Sequence, residues 1–190
     1  AGVKAKKCKV CREEFIPTKP LQAVCGFSCA LTKARQDRQK TEQRAGRVAR
    51  AELRVAKEKA KTRSQWMKEA QAVFNGFIRE RDYDLPCISC DRRHDGQYHA
   101  GHYLPTSTKP SLRFNEFNNN KQCSACNNHL HGNLILYRIA LIKKIGMAKV
   151  RWLEGPHEPV KYTIPELQEI KAKYTAMARE LKRGREESWR

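Results

Sequence analysis

All eight cysteines of this 190-residue chain fall into four close pairs: Cys8/Cys11, Cys25/Cys29, Cys87/Cys90 and Cys123/Cys126. Four thiolates drawn from two such pairs are the ligand set of a closed, tetrahedral zinc site. The spacing therefore predicts two structural zinc ions, one held by Cys8, Cys11, Cys25 and Cys29, the other by Cys87, Cys90, Cys123 and Cys126. Each ion would supply on the order of 10 kcal/mol that a module this small cannot raise from apolar burial. Disulfides are the competing reading. They require an oxidising compartment, and the opening residues AGVKAKKCKV lack the apolar core of an export signal. A cytosolic, reducing location is expected. In the first set every ligand position is filled by protein, which points to a structural rather than a catalytic ion.

Charge constrains the partner. Lys and Arg number 39 against 20 acids, a formal net charge of +19 with a pI near 9.9 and a mean hydropathy of -0.79. No large single core is expected, and the partner should be polyanionic, nucleic acid before an anionic membrane surface. No run of eighteen apolar residues exists to span a bilayer. Residues 30–63 hold 12 bases and 4 acids, contain no proline and consist largely of helix formers. Lys33, Arg35, Arg38, Lys40, Arg44, Arg47, Arg50 and Arg54 are the candidate phosphate contacts. Two readings stand for this segment, a solvated spacer and a phosphate-tracking arm, and two for its form, a long exposed helix and a partly ordered linker.

The remaining elements follow from periodicity. Ser64 is the expected N-cap of a helix whose Trp66, Ala70, Val73, Phe74, Phe77 and Ile78 form one apolar face. Asp82–Pro86 ends it and leads into Cys87. Asn133 is expected to cap a second helix, buried through Leu134, Tyr137, Leu141, Ile142 and Ile145 and closed by Gly146. A short helix should follow over 147–154. Thr163 and Glu166 form a capping box around Pro165. The last helix carries Leu167, Ile170, Tyr174, Met177 and Leu181 in a narrow seam that either packs back on the domain or pairs two subunits. The chain is thus segmented as 1–30 (N-terminal zinc module), 31–63 (basic helix or linker), 64–155 (central zinc-stabilised domain) and 156–190 (C-terminal helix). The fold class is a small, zinc-stabilised α+β protein.

The residues between the second two cysteine pairs carry more chemistry than a zinc knuckle needs. Hydrolysis of a phosphodiester requires a base for water and a divalent cation on the scissile phosphate. His102, in a Gly-His-Tyr step, is placed to be that base from a hairpin. Asn118 precedes Cys123 in a loop that can return to it. Asn127, His129 and His131 follow Cys126, and Asn127 and His131 share one face if helical. His99 faces away from His102 on a regular strand, but a bulge at Ala100-Gly101 would turn it inward. His129 reads as a surface histidine, and His94 and His157 are given no role.

These residues resemble the HNH, or ββα-metal, endonuclease site. More narrowly, RERDYDLPCISC, AGHY, LRFNE, the KQC-x-x-CN step, GN and the following YR-x-x-LI-x-x-IG resemble the NinG family, Rap-type recombination endonucleases of lambdoid phages that act on branched DNA such as Holliday junctions and D-loops. The match is strong over residues 64–146 and looser outside. The resemblance implies an HNH-like core with His102 as general base. It makes Asn118 the loop asparagine that orients His102 or joins the metal site. It implies a magnesium or manganese ion held by His99, His102, Asn127 and His131. It also implies branched DNA as partner, host or phage recombination proteins as further partners, a homodimer to make two cuts, and a location in the bacterial host cytoplasm on the nucleoid. Where HNH sites often place Asp or His before the base, this chain has Gly101. Two other readings compete: a zinc-finger DNA-binding accessory protein without catalysis, and a cytosolic scaffold or coiled-coil adaptor. The last does not account for the charge and two zinc modules together.

Overall fold

Cysteine stands in for a core in the first third of the chain. The computed structural model describes residues 4–188 and divides into two units, Ala1–Lys61 and Thr62–Arg190.

In the first unit, β1 (Lys6–Lys7) pairs antiparallel with β2 (Glu14–Phe15), Lys6 opposite Phe15. The turn between them presents Cys8 and Cys11 and is closed by Cys8 N–H donating to the Glu13 carbonyl at 2.9 Å. Arg12 takes a left-handed conformation there, with φ 66°. The helix α1 (Phe27–Lys59) starts within the second cysteine pair and runs 33 residues, about 50 Å at 1.5 Å per residue. The basic segment is therefore one continuous helix rather than a partly ordered linker. It buries no residue. Pairs such as Lys33–Asp37 at 2.7 Å and Arg38–Glu42 at 3.0 Å join successive turns. At that exposure solvent screens them and they add little to stability.

The second unit opens with α2 (Arg63–Arg81). Its N-cap is Thr62, not Ser64: the Thr62 hydroxyl accepts from Gln65 N–H, and the Gln65 side chain returns to Thr62 N–H at 2.8 Å. Reciprocal capping from Gln65 explains why the helix starts two residues earlier than a lone serine signal suggests. The closing helix, α5 (Ile164–Ser188), starts at the predicted capping box, with Glu166 accepting from Thr163 N–H at 2.7 Å. Its seam packs back on α2. Phe74, Phe77, Ile78 and Tyr174 form one buried cluster with Ile170 and Met177 against it, and Trp66, Ala70 and Leu167 form another. Residues 156–190, set apart in the sequence, thus close the same unit that α2 opens.

Between these helices lies the hairpin, β3 (Tyr98–His102) against β4 (Asn119–Cys123). Pairing is regular from Tyr98 opposite Cys123 to His102 opposite Asn119. After β4 comes a single π-helical turn over Ala125–His129, then α3 (Leu134–Ile145) and α4 (Met147–Glu154). Gly146, with φ 86°, makes the break between them, as its position predicts. Ala100 of β3 packs toward the α2–α5 cluster. The opposite face meets α3, where Tyr137 joins Tyr103, Leu112, Leu141, Val150 and Leu153 in a second core.

Asp82, just past α2, ties three elements together. It is buried and accepts from Arg81 at 2.7 Å, from Lys144 of α3 at 2.9 Å and from Lys121 N–H of β4 at 3.1 Å. Burial alone would raise its pKa, but the Arg81 and Lys144 charges outweigh that and hold it below the usual carboxylate value.

Candidate functional site

The two cysteine sets are the only groups of three or more His, Cys, Asp or Glu ligand atoms, among the described residues, close enough to share an ion. In each, the four sulfurs lie within 4.8 Å of one another. A zinc tetrahedron with bonds near 2.3 Å needs sulfurs about 3.8 Å apart. Cys90 and Cys123 are at 3.9 Å, and Cys11 and Cys25 at 3.6 Å. No cysteine is in a disulfide.

Backbone amides already point at the sulfurs as they would at thiolates. Cys87 Sγ accepts from Cys123 N–H at 3.3 Å, and Cys8 Sγ from Cys25 N–H at 3.4 Å. Burial opposes ionisation of Cys8, yet the amides of Val10, Cys11 and Cys25 overcome it and bring its pKa down to about 6. Cys126 is pushed up to about 12, first by burial and then by its thiol neighbours. Four sulfurs this close cannot all ionise without a cation, and zinc is the ion whose chemistry fits an all-thiolate set.

Two further side chains, His94 and Asn133, serve this second set. His94, given no role from sequence, places Nε2 at 3.3 Å from Cys90 Sγ. Its Cys90-x3-His94 spacing was the available signal. Asn133 was expected to cap α3 with its side chain. Instead it sits in a left-handed conformation and donates Nδ2–H to Cys126 Sγ at 3.6 Å, leaving the helix without a side-chain cap. Such outer hydrogen bonds fix and stabilise metal-bound thiolates.

The hairpin site is built around the end of β3. His102 is half-buried, with Nε2 at 3.2 Å from the Arg113 carbonyl. Only a protonated Nε2 can donate to a carbonyl, so the neutral ring carries its lone pair on Nδ1. Burial lowers its pKa from 6.5, against the raising effect of the Arg113 carbonyl. Asn119, directly across the ladder, donates to the same carbonyl at 3.4 Å.

Asn118 is fully buried and clips together the ends of the loop between the strands. Its Oδ1 accepts from Leu104 N–H at 2.9 Å, and its Nδ2 donates to the Leu104 and Leu112 carbonyls at 3.0 and 3.3 Å. These bonds hold the loop, and none of them reaches His102.

The other expected ligands lie on the far face of β3 and in the turn after β4. The ladder is regular through Ala100 and Gly101, so the bulge that would turn His99 toward His102 does not form, and the two histidines point to opposite faces. His99 shares its face with its cross-strand partner Gln122, whose Nε2 donates to the Gly132 carbonyl at 2.6 Å. The segment after Cys126 therefore reaches the His99 side. Nor do Asn127 and His131 share a helical face: the π turn ends at His129, and His131 takes a left-handed φ of 48°. Asn127 stays on the turn, donating to Asn128 at 2.7 Å, and His129 is exposed, as expected. His157 caps α4, with Nε2 at 3.1 Å from the Leu153 carbonyl.

The bases of α1 gather on one side of the helix. At 100° per residue, Lys33, Lys40, Arg44, Arg47, Arg50, Arg54 and Lys57 fall within an arc of roughly 140°. Arg35 and Arg38 lie outside it, and Arg38 is paired with Glu42. No helix among the described residues is long and apolar enough to cross a membrane.

A strongly basic α+β protein with two four-cysteine sites and a histidine-bearing hairpin is the class these features define. The family model described as bacteriophage lambda NinG protein matches residues 1–186. The chain is 42% identical over 194 residues to protein ninG of Escherichia phage 933W, covering 96% of each. It is 42% identical over 196 residues to protein ninG of Escherichia phage lambda, again 96% of each. It is 41% identical over 196 residues to protein ninG of Salmonella phage P22, covering 96% of this chain and 97% of that one. The chain belongs to the NinG family of bacteriophage proteins. No solved structure matches it.

Proposed function

We propose that this protein is a divalent-metal-dependent endonuclease of branched DNA, with His102 as the base that takes a proton from water. One observation carries the reading. His102 is a half-buried imidazole whose burial disfavours its charged form, with Nε2 at the Arg113 carbonyl and the basic lone pair of the neutral ring left on Nδ1. A neutral, pre-oriented imidazole is what proton abstraction near pH 7 requires. Asn118 and Asn119 hold the loop that supplies that carbonyl, and the second cysteine set holds the far end of the hairpin. They are positioning residues. The charge of +19 and the basic arc of α1 supply affinity for phosphate.

When bound, magnesium or manganese would neutralise charge on the scissile phosphate and its leaving oxygen. The resemblance assigns it His99, Asn127 and His131 beside His102, but His99 and His102 lie on opposite faces of β3, so phosphate oxygens and water would have to supply most of the shell on the His102 side. Branched DNA as the substrate, and host or phage recombination proteins as further partners, follow from the family resemblance.

A second reading draws on a specific observation. His99 and His102 lie on opposite faces of β3, and no three His, Cys, Asp or Glu ligand atoms outside the cysteine sets converge among the described residues. That arrangement suits a zinc protein that binds DNA without cutting it. A nicking assay on four-way, forked and linear duplex DNA, with and without magnesium or manganese, separates the two. Metal-dependent cleavage of branched substrates supports the nuclease, and tight binding with no cleavage under any divalent metal supports the accessory protein.

A further inference from the structure

The helix α3 is apolar on two sides, and only one of them is used. Tyr137 and Leu141 are fully buried against the hairpin and α4, while Ile135, Leu136 and Ile139 stand 80%, 47% and 50% exposed on the outer side. A helix that is apolar all round is ordinarily covered all round. Beside this outer ridge lies a cavity of about 530 Å³, between α3 and the loop entering the second cysteine set, with an apolar lining of Leu85, Pro86, Ile88, Leu136, Ile139 and Ala140.

The charges at this cavity are Asp82, Asp91, Lys121, Lys143 and Lys144. Three are engaged internally. Lys144 bonds Asp82, and Lys121 donates to the Tyr83 carbonyl at 2.7 Å. Asp91 and Lys143 have no side-chain partner among the described residues. The rim thus holds one unengaged anion and one unengaged cation over an apolar floor, on a chain whose net charge is +19.

We propose that this face is where two copies of the chain meet, related by a two-fold axis. Ile135 of each copy enters the other's cavity, and Lys143 of each lies against the other's Asp91. A two-fold contact makes each such pairing twice, so one cation and one anion on the same patch are self-complementary. Phosphate-rich DNA would gain nothing from an apolar floor with a carboxylate at its rim. The seam of α5, the other element able to join subunits, is already spent on α2. A two-fold pair also provides two cutting sites for a four-way junction, and that consequence alone rests on the nuclease reading.

The test is sedimentation equilibrium of the full-length, zinc-loaded protein without DNA, at about 0.05 and 0.5 M salt. A dimer is expected, and a tighter one at the higher salt. Screening relieves repulsion between the two +19 chains and leaves apolar contact intact, the reverse of the salt dependence of DNA binding. Ile135→Glu should weaken self-association roughly tenfold or more, as for a buried interface anchor. Because Ile135 is exposed, zinc content and helical circular dichroism should not change. Lys143→Glu should also weaken the dimer, and adding Asp91→Asn should restore part of the loss by removing a like-charge pair. Asn tolerates the left-handed φ of 54° at position 91. A monomer at every concentration and salt overturns the proposal. So does a dimer indifferent to Ile135→Glu and Lys143→Glu, or one that Asp91→Asn does not help. None of these readouts depends on cleavage.

Discussion

Gly101 and Gln122 leave no room between them on one face of the β3–β4 pair. A Cβ at position 101 would overlap Gln122 Oε1, and that buried oxygen has no hydrogen-bond partner among the described residues. The glycine before His102 is therefore a packing requirement of this hairpin. It also explains why no acid can stand there. Gly101→Ala should cost about 1–3 kcal/mol of stability, the usual range for overpacking. Chemical denaturation measures it, and Gln122→Ala in the same chain should recover part of the loss.

Asp82 predicts an acid-sensitive fold. Its folded pKa lies below the unfolded value of 3.8, so its contribution is present above that value and is lost as pH falls through the folded pKa. Asp82→Ala should destabilise the second unit by about 3–5 kcal/mol, because Arg81 and Lys144 lose a buried counter-ion. Melting curves between pH 3 and 7 should show the wild-type advantage shrinking toward the acid end.

Each cysteine set should bind one zinc. Metal analysis should find two ions per chain. Cys87→Ser or Cys123→Ser should unfold the second unit, since an incomplete thiolate set forfeits much of the metal's folding energy. Cys8→Ser should lose one ion and weaken DNA binding while the second unit stays folded. A chain with no zinc would contradict both sites.

The basic arc of α1 makes a positional prediction. Neutralising Arg44, Arg47, Arg50 and Arg54 together should reduce the log–log salt slope for duplex binding by up to about 3.6, at 0.9 per phosphate contact. Neutralising Arg35 and Arg38, which lie off the arc, should change it much less. A slope unchanged by either set would make α1 a spacer, and equal changes per charge from both sets would contradict the arc.

Much of this architecture was legible in the sequence because its signals are local. Cysteine spacing, the Thr163/Glu166 capping box, Gly146 and the apolar periodicity of α2, α3 and α5 each specify their own neighbourhood. What was not legible depends on contacts between distant residues. Whether α5 packs on α2 or on another chain turns on the fit of Tyr174 against Phe74 and Phe77. The ladder stays regular at Ala100-Gly101 because of Gln122, more than twenty residues away. Asn133 reads as a helix cap, but Cys126 claims its side chain. The partner of His102 is a backbone carbonyl, that of Arg113, which no side-chain motif records.

The central claim is that His102 is the base of a nuclease, and His102→Ala tests it most directly. Cleavage of a four-way junction should fall on the order of 100-fold or more, with junction affinity and zinc content unchanged. The wild-type rate should fall as pH drops through the His102 pKa, which burial places below 6.5, and His102→Ala should lose that acidic limb. If His102→Ala cuts branched DNA at the wild-type rate, or if the wild-type protein binds junctions and cuts none with any divalent metal, the account is wrong, and the hairpin belongs to a DNA-binding protein without catalysis.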